Sequence, residues 1–123
     1  MANPNIINVT SIYGNTSYLI PGTTGATTWT ALTPASGTVN KIDNIVASNV
    51  TASAAVITVA ISSLAGGLGT NYRLIYQLPV PVNASVVIVD KSTAFYLGEA
   101  QSIVVTVGTA SAIELTASYE AIT

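Results

Sequence analysis

Apolar and polar residues alternate most regularly near the C-terminal end of the chain. Between positions 113 and 120 every second residue is apolar: Ile113, Leu115, Ala117 and Tyr119 alternate with Glu114, Thr116, Ser118 and Glu120. A period of two places one row against a core and the other row in solvent. This segment is therefore predicted to be a half-buried β-strand.

A second apolar run, Ser102 to Gly108, comes just before that strand. The connection between the two runs, Gly108 to Ser111, is short and contains a glycine that can adopt positive φ. These features predict a β-hairpin made of the last two strands.

Short segments of the same kind recur upstream, bounded by Gly, Pro, Asn, Asp or Ser. They cover 12–13, 17–20, 38–50, 55–62, 72–78, 86–90 and 94–97. Gly14-Asn15-Thr16 is predicted to be a turn or bulge between the first two segments. In the segment 38–50 the apolar positions slip between Ile42 and Ile45, which favours a bulged strand, although the same spacing fits one helical turn.

These segments add up to eight or nine short strands with no helix. Such a set predicts an all-β protein whose residues 1–123 form a single antiparallel β-sandwich, a jelly-roll or a related Greek-key. Pro4 and the irregular pattern around it predict a loose N-terminal arm over residues 1–10, with an edge strand as the alternative.

The composition changes the picture, because only 7% of the residues are charged against roughly 25% in an average domain. Hydroxyl and amide groups could solvate the surface, or neighbouring subunits could cover it. We favour the second explanation, because Val86-Val87-Ile88-Val89 and Ile103-Val104-Val105 offer apolar side chains to both faces of a strand.

Several partner classes are not expected. With only three Lys and Arg residues and a net charge of −2, the chain is not expected to bind nucleic acid. No apolar run approaches the roughly 18 residues of a membrane helix, and no targeting segment is recognisable, so no membrane association is expected. Cysteine is absent, which excludes disulfides and thiolate metal sites.

The residues for catalysis are also missing. The chain has no histidine, which removes the commonest general base and the imidazole metal ligands. Glu114 and Glu120 lie roughly 20 Å apart along one strand, too far to share a scissile bond. Gly66-Gly67-Leu68-Gly69 lacks the Lys that a phosphate loop needs, and it is interpreted as a flexible loop. We therefore expect neither enzymatic activity nor a cofactor.

Five residues are possible interface positions. Lys41 and Asp43 share a strand face and are expected to form a surface pair or to contact a neighbouring subunit. Trp29, with Tyr13 and Tyr18 not far away in sequence, is either a core residue beneath its loop or an interface anchor. Asn49-Val50-Thr51 and three similar triplets match the glycosylation pattern, but we assign no glycan to them.

Phe95-Tyr96-Leu97, followed by Glu99, and the terminal Ser118-Tyr119-Glu120 carry a family resemblance. Together with MANPNIINVTSIYG, KIDNIVASNVTASAAVITVAI and LPVPVNASVVIVDKSTAFYLGEAQSIVVTV, they resemble small structural proteins in the virions of tailed bacteriophages, cyanophages in particular. The segment Thr23 to Ser36 departs from that pattern.

The resemblance implies a β-sandwich that is made in the host cytoplasm and located in the virion, on the capsid surface. It implies a decoration (cement) protein that forms a homotrimer and binds the major capsid protein or other virion proteins. A tail, baseplate or fibre component is the alternative within the virion. A carbohydrate-binding module is a second alternative.

Overall fold

Nine β-strands and three single 3₁₀ turns make up the part of the chain that the computed structural model describes, residues 9–123. The strands are β1 (Ile12–Leu19), β2 (Thr27–Thr28), β3 (Val39–Asn49), β4 (Ala55–Ser62), β5 (Asn71–Val80), β6 (Ser85–Val89), β7 (Phe95–Leu97), β8 (Ser102–Val107) and β9 (Ile113–Ile122). No helix within these residues is long and apolar enough to cross a membrane.

The strands form two antiparallel sheets that pack face to face. Sheet A has the order β1-β9-β3-β6, with β7 also paired to β3, and sheet B has the order β2-β8-β4-β5. The antiparallel pairs are nested around the middle of the chain: β4 with β5, β3 with β6 and β7, β2 with β8, and β1 with β9. A ribbon of nested pairs rolled into two sheets is a jelly-roll, so the predicted fold class is confirmed.

The predicted hairpin of the last two strands is wrong. β8 pairs with β2 and β4 in sheet B, whereas β9 pairs with β1 and β3 in sheet A, so the connection between them is an arch from one sheet to the other. Alternation shows which side chains face the core, but a hairpin and an arch share the same alternation.

Gly108, in this arch, is required for a close approach. Its N–H donates a hydrogen bond to the Val56 carbonyl oxygen over 3.0 Å, and a Cβ at this position would lie 2.6 Å from Val56 Cγ2. The positive φ of the connection is found at Ser111 instead, at 59°. The glycine predicted to be a turn residue therefore makes room for β4.

The turn or bulge expected at Gly14-Asn15-Thr16 is absent, because β1 runs through these residues without interruption. Each residue from Ile12 to Leu19 pairs with β9, from Ile122 back to Leu115, and the register does not shift. The bulge expected between Ile42 and Ile45 is confirmed by a register shift between Ile42 and Asn44 in the pairing of β3 with β9.

The core lies between the sheets and contains the inward-facing residues of both. Its largest fully buried side chains include Trp29, Leu32, Ile42, Ile45, Ile57, Leu97, Ile103, Ile113 and Leu115. Each such side chain contributes about 1.5–3 kcal/mol when it leaves water, so packing accounts for the stability of a chain without cysteines.

The apolar residues on the outer faces have two different explanations. Val104 is buried because the connection between β4 and β5 folds over it, and a Cβ on Gly67 would lie 3.1 Å from Val104 Cγ2. Val87 on β6 is 58% exposed. Part of the apolar surface that suggested subunit contacts is therefore covered by the chain itself.

Only the end of the expected N-terminal arm can be compared with the structure, because residues 1–8 lie outside the described part. The Thr10 N–H donates a hydrogen bond to the Thr123 carbonyl oxygen over 2.6 Å. The last residue of that arm is therefore fastened to the C-terminal residue.

Candidate interaction surfaces

Exposed tyrosines are concentrated on the edge strands of the sandwich. Five of the six tyrosines are between 51% and 75% exposed: Tyr13 and Tyr18 on β1, Tyr72 and Tyr76 on β5, and Tyr96 on β7. β1 and β5 end their sheets, and β7 pairs only with β3 among the described strands. Tyrosine gives a large apolar contact with a polar tip, which makes it common at protein interfaces.

Tyr13 and Tyr18, both predicted as possible interface residues, are exposed but do not lie together. They are five positions apart on an unbulged strand, so their side chains leave β1 on opposite faces. Tyr18 lies on the outer face of sheet A opposite Thr116, whereas Tyr13 lies opposite Ala121 on the other face.

Trp29 is in the core, which resolves the two alternatives left by the sequence. Its side chain is 1% exposed, and its indole N–H donates a hydrogen bond to Ser17 Oγ over 3.0 Å. The core alternative therefore holds and the interface alternative for Trp29 is wrong, because the indole has no surface to offer a partner. Its loop turns inward at a 3₁₀ turn, Thr30–Leu32, whose Leu32 is also buried.

Lys41 and Asp43 form the expected surface pair. Lys41 Nζ lies 3.8 Å from Asp43 Oδ1, and both side chains are about one-third exposed, at 37% and 34%. Exposed pairs of this kind contribute about 0–1 kcal/mol. Their position is more informative than their energy, since Lys41 lies directly between Glu120 on β9 and Tyr96 on β7.

Lys41, Asp43 and Glu120 line a depression of about 520 Å³ on the outer face of sheet A, which we call the charged depression. It contains five of the eight charged residues of the chain: Lys41, Asp43, Asp90, Lys91 and Glu120. Val46, Val87 and Ala94 supply its apolar part. Three acids and two bases give it a net charge of −1, with both signs close together.

Asp90 has a fixed place at the rim of this depression. It caps the 3₁₀ turn Lys91–Thr93, where its carboxylate accepts hydrogen bonds from Ser92 Oγ over 2.6 Å and from the Ser92 N–H over 2.9 Å. The Ser92 hydroxyl, and then its N–H, lower the pKa of this carboxyl below the ordinary value of 3.8. Asp90 therefore acts as an ionised cap near neutral pH, not as a proton donor.

The charged depression brings together residues from β3, β6, β9 and the turn after β6. Among residues 9–123, no group of three or more His, Cys, Asp or Glu side chains is arranged to hold a metal ion. Alternating charges over a shallow apolar floor suit contact with another polar surface of mixed charge.

A second surface, on β5, was missed because two bulges interrupt its predicted alternation. Register shifts relative to β4 fall between Ile57 and Val59 and between Val59 and Ala60. Tyr72 and Tyr76 consequently face solvent. The Arg73 guanidinium carbon lies 5.1 Å from the centre of the Tyr76 ring, a distance typical of cation–π contact. We call Tyr72, Arg73 and Tyr76 the β5 cluster.

Comparisons of this chain with protein-family models, with curated proteins and with solved structures find no match.

Proposed function

We propose that this chain is a non-enzymatic structural protein of a virion, a decoration (cement) protein that binds across junctions between major capsid protein subunits on the capsid surface. The observation that carries the proposal is the β5 cluster, in which two exposed tyrosines flank an arginine on one edge strand. Tyrosine and arginine are the residue types that most often dominate binding energy at protein interfaces. The jelly-roll fold, which viral capsid proteins use, also supports it.

The binding energy would stabilise the shell by mass action. A protein that binds the assembled lattice but not the separate subunits stabilises the lattice by a free energy of RT ln(1 + [L]/Kd). Here [L] is the concentration of the free protein and Kd is its dissociation constant from the lattice. Such work needs no catalytic group. A rigid protein with edge strands that bind the capsid is sufficient. We propose that it is made in the host cytoplasm and then added to the capsid.

Quantitative mass spectrometry of purified particles tests the location. A cement protein should be present in a copy number comparable with that of the major capsid protein, and it should remain with heads after heads and tails are separated. A copy number far below this, with the protein in the tail fraction, would instead support the tail, baseplate or fibre alternative. Absence from particles would overturn both assignments.

Reconstitution tests the surface. Heads assembled without this chain should gain heat resistance when the purified protein is added, and Tyr72→Ala or Tyr76→Ala should weaken binding by about thirtyfold or more, as expected for a hot-spot residue. Tyr96→Ala is the matched control, because Tyr96 is similarly exposed but lies on the other sheet. Equal binding by all three variants would contradict the assignment to β5.

A carbohydrate-binding module is the second candidate, because jelly-rolls also serve as lectins and exposed tyrosines can stack on sugar rings. Trp29 cannot supply such stacking, since its side chain is buried. Binding of the isolated protein to a glycan array, lost on Tyr76→Ala, would favour this candidate over the cement protein.

A further inference from the structure

The outward edge of β1 is a long row of unpaired backbone groups within the described chain. Ser11 and Thr123 exchange both of their backbone hydrogen bonds, at 3.2 Å and 3.0 Å, and the register from there to Leu19 does not shift. Donors and acceptors alternate in direction along a strand, so the odd-numbered residues of β1 bond to β9. The N–H and C=O groups of Ile12, Gly14, Thr16 and Tyr18 therefore point away from sheet A.

This edge lacks the features that usually prevent strand addition. β1, with the sequence IYGNTSYL, has no charge, proline or bulge. The other edges are each blunted. β5 has two register shifts, Arg73 and Pro79; β6 and β7 are separated by the Asp90 turn; and β2 has two residues.

We propose that two copies of this chain associate through β1, antiparallel to β1 of the second copy, about a two-fold axis at Thr16. The two sheets A then become one continuous sheet. This inference goes beyond the proposed function, since it holds for a head protein, a tail protein or a lectin alike. It specifies a two-fold contact in place of the homotrimer that the family resemblance implies.

The register follows from the geometry. A two-fold axis perpendicular to the sheet places the outer faces of the two copies on the same side. Because the free N–H and C=O groups belong to even-numbered residues, an even-numbered residue must lie opposite an even-numbered residue of the second copy. With Thr16 opposite Thr16 of the second copy, Tyr18 lies opposite Gly14. Gly14 has open space where a Cβ would be, which leaves room for the tyrosine ring. An aromatic ring over a glycine of the neighbouring strand is a known stabilising pair.

The same register also matches the remaining side chains. It places Ile12 opposite Ile20 on the outer face and Tyr13 opposite the half-buried Leu19 on the inner face. Shifting the axis to Asn15 would place Tyr13 opposite Ser17 and Asn15 opposite itself, which is a poorer match. Because β1 carries no ionised side chain, no like charges meet in the pair, which favours a second copy over a charged partner segment.

Light scattering and hydrogen exchange on the full chain test the proposal. The wild-type protein should have twice the mass of one chain and should dissociate on dilution. Thr16→Pro should weaken the dimer about tenfold or more, because it removes one donor in each copy. The fold should survive, since that N–H does not bond to β9 and edge strands tolerate such prolines.

Tyr18→Glu provides a second variant in case Thr16→Pro does not fold. It should weaken the dimer by a similar factor, because two carboxylates enter an otherwise uncharged contact. Tyr96→Glu is the control, since it makes the same exchange at the other edge of sheet A and should leave the dimer intact.

Amide exchange gives an independent measurement. In the dimer the Thr16 and Tyr18 amides should be protected, and dilution should release them while the Asn15 and Ser17 amides, which bond to β9, stay protected. A monomer or trimer at high concentration would overturn the proposal, as would a dimer that neither variant weakens. Protection of the Thr16 amide in a monomer would overturn it too, and would indicate that another part of the same chain covers β1.

Discussion

The Trp29 indole N–H donates a hydrogen bond to the Ser17 hydroxyl across 3.0 Å, and both residues are buried. This bond joins the loop between β2 and the first 3₁₀ turn to the edge strand β1. It therefore positions β1, the strand on which the proposed self-association depends.

Ser17→Ala should lower the free energy of unfolding by about 1–3 kcal/mol, because it leaves the indole N–H buried without an acceptor. Trp29→Phe should cost less than Trp29→Ala, for which about 3–5 kcal/mol is expected. Urea titration followed by far-UV circular dichroism measures all three variants. If Ser17→Ala is as stable as the wild type, the hydrogen bond contributes nothing.

Asn49→Asp should be strongly destabilising. The Asn49 amide is 2% exposed, and its Nδ2 donates to the carbonyl oxygens of Ser53 and Val80 over 2.8 and 3.0 Å. A carboxylate of the same shape has no donors to offer them. We expect a loss of about 2 kcal/mol or more, measured by thermal or urea unfolding.

Asn83→Asp is the matched control for that substitution, since Asn83 is exposed in the turn before β6 with φ of 54°. Aspartate also tolerates this conformation, so stability should change little. Comparable losses in both variants would contradict the role assigned to Asn49. The buried, doubly bonded amide also leaves no room for a glycan at Asn49.

Asp90 should contribute to the pH dependence of stability. Its pKa in the folded state is lowered, mainly by the Ser92 hydroxyl, so its stabilising contribution is fully present above its ordinary value of 3.8. That contribution is lost as the pH falls from there through the folded pKa. Asp90→Asn keeps an oxygen acceptor for the capping bonds but does not titrate.

Urea midpoints of the wild type and of Asp90→Asn should therefore converge as the pH falls below 3.8 and differ most above it. Both proteins share the other carboxylates, so the contribution of these groups to the pH dependence cancels in the difference. Parallel curves over this range would show that the cap contributes no pH dependence.

Ser102→Ala should loosen the connection between β4 and β5. The buried Ser102 hydroxyl donates to the Leu64 carbonyl oxygen over 2.8 Å and accepts from the Gly67 N–H over 2.9 Å. Its removal should cost about 1–3 kcal/mol and speed amide exchange at Gly67. Ser48→Ala, which removes an exposed hydroxyl pair with Ser85, should stay within about 0.5 kcal/mol.

The fold class could be predicted because it depends on local periodicity. Alternation along residues 113–120 and 55–62, with glycine and proline between segments, is enough to identify strands, their faces and a sandwich. The slip between Ile42 and Ile45 was equally readable, since a bulge shifts the phase of the apolar positions within one strand.

Strand partners could not be predicted in the same way. The segments 102–107 and 113–122 have the pattern of a hairpin, but which sheet a strand joins depends on contacts with distant strands. Gly14-Asn15-Thr16 has the composition of a turn, yet pairing with β9 keeps these residues extended. In both cases tertiary contacts override the local preference.

The candidate surfaces were predicted only in part. Lys41 and Asp43 were recognised because two residues of one strand share a face, whereas Asp90, Lys91 and Glu120 reach the same depression from other elements. The β5 cluster was missed because a prediction from alternation assumes that every second residue faces the same side of the sheet. The two bulges in β5 interrupt that alternation. Trp29 could not be placed, since no local pattern distinguishes a loop residue that turns inward from one that turns outward.

The position of β9 in the middle of sheet A affects how the chain is synthesised and folded. β1 and β3 both pair with β9, so neither can complete its sheet while the ribosome is still translating the residues before position 113. Sheet B can begin earlier from β4 and β5, which are neighbours in sequence. Until then β1, which is uncharged, has no partner on either side among the described strands, and such unpaired edges expose nascent chains on one messenger to pairing with each other.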